Sequence, residues 1–161
     1  MEDGSAGFDA LVMAAAVSDF RPADTADAKL ARADGLALRL ESTPDLLAGV
    51  ARAVADRADR PRPVLVGFAA ETGSLDRAAE KLGRKGVDLL VANDVSEPGS
   101  GFGTDTNRVT ILARDGSVDE LPLQSKRGVA DALFDRVVRL LDARDRAAQT
   151  DATTEPAREP A

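Results

Sequence analysis

Apolar residues fall in short blocks separated by polar and turn-forming stretches. Leu11–Val17 (LVMAAAV) is a continuous apolar run of strand length, which predicts a strand buried on both faces. Ser18-Asp19-Phe20-Arg21-Pro22 and the polar stretch on to Lys29 predict a loop. Leu36–Leu40 (LALRL) alternates as a half-buried strand does. Thr43-Pro44-Asp45 predicts a helix start, with Thr43 as cap, Pro44 at the first helical position and Asp45 against the dipole. Leu46, Leu47, Val50, Ala51 and Val54 then form one helical face.

Val64–Phe68 (VLVGF) predicts a second buried strand. A helix capped by Ser74 runs from there through Lys85, and Gly86 stands where a left-handed residue ends a helix. Val87–Ala92 predicts a strand ending in Asn93-Asp94, and the Gly- and Pro-rich stretch from Glu97 to Asp105 a loop. Val109–Leu112 and Val118–Leu121 predict a hairpin through Asp115-Gly116. Ser125 caps a last helix with Val129, Leu133, Val137, Leu140 and Leu141 inward. This order predicts the α/β class: a mostly parallel sheet with a C-terminal antiparallel hairpin and packing helices. One domain over residues 8–146 is expected, followed by a disordered polar tail over 147–161, where Ala, Thr, Glu and Pro take over.

Composition narrows the chemistry. The 161 residues include no cysteine and no histidine, which excludes disulfides, thiolate and imidazole metal sites, and Cys- or His-dependent nucleophilic catalysis. The net charge of -7 argues against nucleic acid or an anionic membrane as partner. No run is long and apolar enough to span a bilayer, and Met1–Gly7 lacks the pattern of a secretory signal, so the cytoplasm is the expected compartment. Tyr and Trp are absent, which removes an aromatic platform for single strands.

Candidate chemistry gathers at strand ends, where open α/β sheets bind ligands. Ser18-Asp19-Phe20, Phe68–Thr72 and Asn93-Asp94 each come after an apolar run, and Asp19, Phe68 and Asn93 are expected at one rim. Each alone is ordinary turn chemistry; together they suggest a crevice. Only Lys29, Lys81, Lys85 and Lys126 are lysines among 21 basic residues. The few that persist are candidates for work needing a compact ammonium. Lys81 and Lys85 share a helix face, where like charges repel modestly unless an anion lies between them. Gly99–Gly103 (GSGFG) is a poor dinucleotide fingerprint, because it leads into a strand rather than a helix.

Several segments, in order, resemble the ligase domain of the phosphopantothenoylcysteine synthetase (phosphopantothenate–cysteine ligase) family. They are Ala14–Pro22 (AAAVSDFRP), Asp27-Ala28-Lys29, Ser42–Leu47 (STPDLL), Val66–Thr72 (VGFAAET), Lys81–Lys85, Asp88–Ser96 (DLLVANDVS), Gly101–Val109 (GFGTDTNRV) and Leu121–Arg127 (LPLQSKR). The resemblance runs from about residue 10 to 140 and implies a Rossmann-like ligase of coenzyme A biosynthesis. Such an enzyme couples 4'-phosphopantothenate to L-cysteine through an acyl-cytidylate, with CTP as co-substrate and Mg²⁺. FMN enters only where a decarboxylase domain is fused upstream, and a homodimer is the expected assembly.

By position, the resemblance implies backbone contacts to nucleotide from Met13, Ala14 and Ala15. Asp19 would meet the nucleotide or its cation, making it the one metal candidate. Lys29 would be catalytic, meeting the phosphates and the charge developing at the acyl centre. Pro44, Asp45, Leu46 and Leu47 would present a helix N-terminus. Phe68 would line the pocket, and Lys81 and Lys85 would hold phosphate oxygens. The family's Gly-rich first strand and turn, and its catalytic asparagine, have no counterpart before Phe8. A partial domain is therefore expected, with activity of the isolated chain in question. The alternatives are a non-catalytic nucleotide-binding or interaction module and, with less support, a nucleotide-dependent oxidoreductase.

Overall fold

The run Val64–Glu71 forms an interior strand of the sheet, because Val64, Leu65, Val66 and Ala69 divide between two apolar layers. The computed structural model describes residues 7–29, 35–55, 57, 61–71, 75–96, 98–100 and 103–154. In chain order the elements are β1 (Ala10–Met13), β2 (Phe20–Pro22), β3 (Leu40–Ser42), α1 (Leu46–Ala55) and β4 (Val64–Glu71). Then come α2 (Leu75–Lys85), β5 (Leu89–Asp94), β6 (Thr106–Ala113), β7 (Val118–Ser125) and α3 (Lys126–Thr154). The main sheet has the order β1-β4-β5-β6-β7, parallel from β1 to β5 and antiparallel from β5 to β7. The α/β, Rossmann-like architecture read from the sequence is present.

On β4, Leu65 and Ala69 face a core shared with Leu47, Ala51 and Val54 of α1 and Ala78 and Leu82 of α2. Val64 and Val66 face the other layer, with Val129, Leu133 and Val137 of α3. A strand covered on both faces needs no polar alternation, which is why these runs read as continuous. Gly67 is where the sheet and α1 approach most closely: a Cβ there would lie 2.9 Å from Leu47 Cδ2.

The first apolar run ends its pairing early. β1 stops at Met13, and residues 14–18 are exposed and turn away from the sheet through the Ala14 N–H on Val12 O and the Val17 N–H on Ala15 O. The alanines are apolar because they form a wall, not because the strand continues. The stretch expected as a loop at 18–22 contains β2, which pairs antiparallel with β3 in a separate two-stranded ribbon. The alternation at Leu36–Leu40 does not mark a half-buried strand of the sheet. Only Leu40 lies in the ribbon strand, with Arg39 O accepting the Ala23 N–H beside it, and Leu36 and Leu38 are 67% and 61% exposed.

The start of α1 also differs in detail. Asp45, not Thr43, is the cap: its Oδ1 accepts the Ala48 N–H at 3.0 Å, and Pro44 lies outside the helix. Thr43 donates its hydroxyl to Ser18 O instead, tying this corner to the chain after β1. Gly86 is left-handed at φ 66°, Gly116 turns the hairpin at φ 88°, and Ser125 Oγ accepts the Gly128 N–H at 3.0 Å, each as expected. α3 runs on to Thr154 through the polar stretch from Ala147, whose alanines and glutamine propagate a helix readily. Ser74, Thr72, Gly101, Phe102 and residues 155–161 lie outside the described residues.

The layered core predicts a sharp contrast between two leucines. Leu65→Ala, at 0% exposure, should cost about 2–5 kcal/mol in urea unfolding, whereas Leu36→Ser should change stability by less than about 0.5 kcal/mol.

Candidate functional site

Parallel strands deliver their carboxyl ends to one rim, and a cavity of about 640 Å³ opens there. The chain leaving β1 supplies one wall, from Met13, Ala14 and Ala15 through Val17 and Ser18 to Asp19. The segment entering α1 supplies a second, from Thr43, Pro44 and Asp45 to Leu46 and Leu47. Phe68, Ala69 and Ala70 of β4 and Asn93 of β5 also line it, as does Asn107 of β6. Asp19, Phe68 and Asn93 therefore share one rim, as their positions after apolar runs predict.

Lys81, Arg84 and Lys85 of α2 complete the cavity. They stand at i, i+3 and i+4, one face of the helix. Helical side chains lean toward the N-terminus of their helix, and α2 begins just past the carboxyl end of β4. Even Lys85, in the last turn, thus brings its ammonium back to the rim. Arg84 is a site residue that sequence reasoning misses, though its spacing from Lys81 is a signal that could find it. Asn107 is missed likewise, because a residue inside a hairpin strand carries no sign that it faces a crevice.

Lys85 Nζ donates to Asp45 Oδ2 at 3.0 Å, so α2 and the cap of α1 meet across the cavity. The Ala48 N–H on Asp45, then the Lys85 ammonium and the more distant Arg84 charge, hold the Asp45 carboxyl below its ordinary range, against an opposing effect of burial. Asp45 occupies the Ala48 amide that the expected helix N-terminal anion site would have offered, so an incoming anion competes with it for Lys85 as well. Phe68 and the alanines keep the opposite walls small and apolar.

Eleven of the twelve residues expected at the ligand line this cavity; the exception is Lys29. Lys29 is exposed in the loop after β2. Among the described residues, no group of three or more acidic side chains is placed to hold a metal. Asp19 is the carboxylate at the β1 wall. One carboxylate suits Mg²⁺ that arrives on phosphate oxygens, because that ion keeps most of its ligands from water and phosphate.

A crevice at the carboxyl ends of parallel strands, faced by Lys81, Arg84 and Lys85, is the arrangement of a Rossmann-like α/β protein. The chain belongs to the DFP family, described as the DNA/pantothenate metabolism flavoprotein C-terminal domain, which it matches over residues 1–141. It is 40% identical over 134 residues to "Coenzyme A biosynthesis bifunctional protein CoaBC" of Bacillus subtilis (strain 168), covering 82% of this chain and 32% of the relative. The protein of the same name from Mycobacterium tuberculosis (strain ATCC 25618 / H37Rv) is 45% identical over 140 residues, covering 83% and 33%. A "Cysteine/Cysteine sulfinic acid decarboxylase" from an unknown prokaryotic organism is 36% identical over 135 residues, covering 83% and 36%. The chain thus spans about a third of the length of these relatives. The crystal structure of the C-terminal domain of Coenzyme A biosynthesis bifunctional protein CoaBC aligns at TM-score 0.53 and 38% identity, over 65% of this chain and 48% of that one.

The Asp45 contacts carry a pH dependence. A carboxyl depressed in the fold contributes stability that is full above its unfolded value of about 3.9 and is lost as pH falls through the folded value. Asp45→Ala should therefore cost about 0.5–2 kcal/mol at neutral pH, and the difference from the unaltered chain should shrink below about pH 4 in acid-series thermal melts.

Proposed function

We propose that this chain is the ligase part of a phosphopantothenate–cysteine ligase, acting in coenzyme A biosynthesis on CTP, 4'-phosphopantothenate and L-cysteine. The observation that carries the reading is the Lys81–Arg84–Lys85 face turned into the rim cavity of a protein whose net charge is -7. Three cations on one helix face are unfavourable alone and favourable around a polyphosphate. Membership of the DFP family and the coenzyme A biosynthesis in the names of the relatives support this substrate class.

The chemistry asks for charge neutralisation and alignment more than for a titrating base. A carboxylate is a poor acyl donor. The 4'-phosphopantothenate carboxylate attacks the α-phosphorus of CTP, its C–O–P bond forms and pyrophosphate departs. The cysteine amine then attacks the acyl carbon of the cytidylate, loses a proton, and CMP departs. The α2 cations offset charge on the phosphate oxygens. Met13, Ala14 and Ala15 offer backbone close to the ligand, because the small alanine side chains leave the main chain accessible. The helix entry at Pro44–Leu47 and the Phe68 ring bound the nucleotide. Mg²⁺ bound to the triphosphate would neutralise charge there, with Asp19 as its protein carboxylate.

Lys29 keeps a catalytic role in this reading through the family resemblance. A loop lysine with a long flexible stem can follow phosphate as it moves, which a planar guanidinium does less well. FMN, where a decarboxylase part is fused ahead, serves that part. The exposed Phe20, Leu38 and Leu40 in and beside the β2–β3 ribbon support pairing with a second copy of the chain. Among the described residues no helix is long and apolar enough to cross a membrane, and the reading places the enzyme in the cytoplasm.

Calorimetry tests the ligand class. The chain should bind CTP–Mg²⁺ and not NAD, while NAD binding without a CTP response would contradict the reading. Lys29 is tested with this segment carried in a full-length relative, by pyrophosphate release from CTP and 4'-phosphopantothenate without cysteine. Lys29→Ala should lower that release about 10²–10³-fold, Lys29→Arg should restore little of it, and the melting temperature should stay within about 1 °C of the unaltered protein. Near-normal release would remove Lys29 from the mechanism.

A further inference from the structure

The described residues of the glycine-rich segment at 99–103, which leads into β6, do not line the cavity, yet hydrogen bonds from them converge on a residue that does. Ser100 is 7% exposed, the one buried polar residue among those described. Its Oγ accepts the Arg108 N–H at 3.2 Å and donates to Asn107 Oδ1 at 2.6 Å. That donation fixes the amide: Oδ1 turns to Ser100, and Nδ2 is the end that donates.

The surrounding backbone is arranged to hold this pair. Gly99 is left-handed at φ 82°, and Thr106 Oγ1 donates to its carbonyl at 2.5 Å. Thr104 Oγ1 donates to Thr106 O at 2.9 Å. The β6–β7 register shifts between Asn107 and Val109, an irregularity of the kind that re-aims a side chain next to a site. Asn107 then lines the cavity from β6, while the cations reach it from α2.

We infer that Asn107 determines specificity in this crevice by donating from Nδ2 to an acceptor oxygen of a phosphate-bearing ligand, with Ser100 as its positioning residue. The inference rests on the proposed ligase reading, in which either CTP or 4'-phosphopantothenate supplies that oxygen. A buried hydroxyl that fixes which end of an amide is the donor makes the site discriminate between acceptor and donor groups, since a mismatched pair leaves both partners unsatisfied. The described part of the glycine-rich segment thus braces a side chain.

The test is calorimetry on the chain with CTP–Mg²⁺ and, separately, with 4'-phosphopantothenate. Asn107→Ala should weaken one of the two about tenfold, and Asn107→Asp should weaken it more, because a carboxylate cannot donate and repels phosphate. Ser100→Ala should weaken the same ligand several-fold and have no further effect when Asn107 is already alanine, whereas Ser100→Thr should retain binding. A role confined to stability would not produce that dependence of one substitution on the other. Unchanged affinity of Asn107→Ala for both ligands, with CTP weakened by Lys81→Ala, overturns the inference and leaves the ligase reading standing. Failure of the unaltered chain to bind either ligand, or Lys81→Ala binding CTP normally, overturns that reading and this inference with it.

Discussion

One carboxylate, Asp88, ties together the end of the sheet opposite the cavity. Its Oδ2 accepts the Leu65 N–H at 2.8 Å, and its Oδ1 accepts from Arg62 at 2.6 Å, with the Arg114 guanidinium at 3.4 Å. The same two arginines donate to Gly86 O, the carbonyl of the left-handed residue that ends α2. The backbone adds the Asp88 N–H on Leu65 O and the Arg114 N–H on Asp88 O. The amino ends of β4 and β5, the exit of β6 and the end of α2 are therefore held at one point. With Asp88 only 16% exposed, losing its charge would leave two guanidiniums without their shared carboxylate.

Geometry carries this anchoring to the other end of the sheet. Strands held level at their starts pair in the register Phe68 with Val91 and Ala70 with Asn93, so Phe68 and Asn93 come to one rim. α2, anchored at Gly86, leans its cations toward that rim because helical side chains point to the helix N-terminus. Asp45 then meets Lys85 across the opening. The acidic cap offsets part of the cationic face, and in the proposed reading polyphosphate would exchange one carboxylate for several phosphate oxygens, which favours ligands of high charge density.

The layered core is legible in the sequence because burial on both faces leaves a plain signature: VLVGF and LLVA have no polar alternation. The crevice is legible from Asp19, Phe68 and Asn93, which lie at or just past the ends of such runs. The ribbon is not. Phe20–Pro22 and Leu40–Ser42 are three residues each, and their pairing is a long-range event that no local pattern announces. The apolar run of the first strand overstates its length because Ala14–Val17 is apolar for a different purpose, as a wall of small side chains. Thr43 and Asp45 are both good cap residues, and only the contact of Thr43 with Ser18 O decides between them. Arg84 and Asn107 depend on which way a helix face and a hairpin strand turn, and that is set by tertiary packing.

The crevice at the carboxyl ends of the strands, with its α2 cations, is the proposed ligand site. Backbone amide chemical shifts during titration with CTP–Mg²⁺ test it most directly. The largest changes are expected at residues 13–19, 44–48 and 81–85, with smaller ones at Asn93 and Asn107. Changes centred instead on Arg62, Asp88 and Arg114, at the opposite end of the sheet, would contradict it.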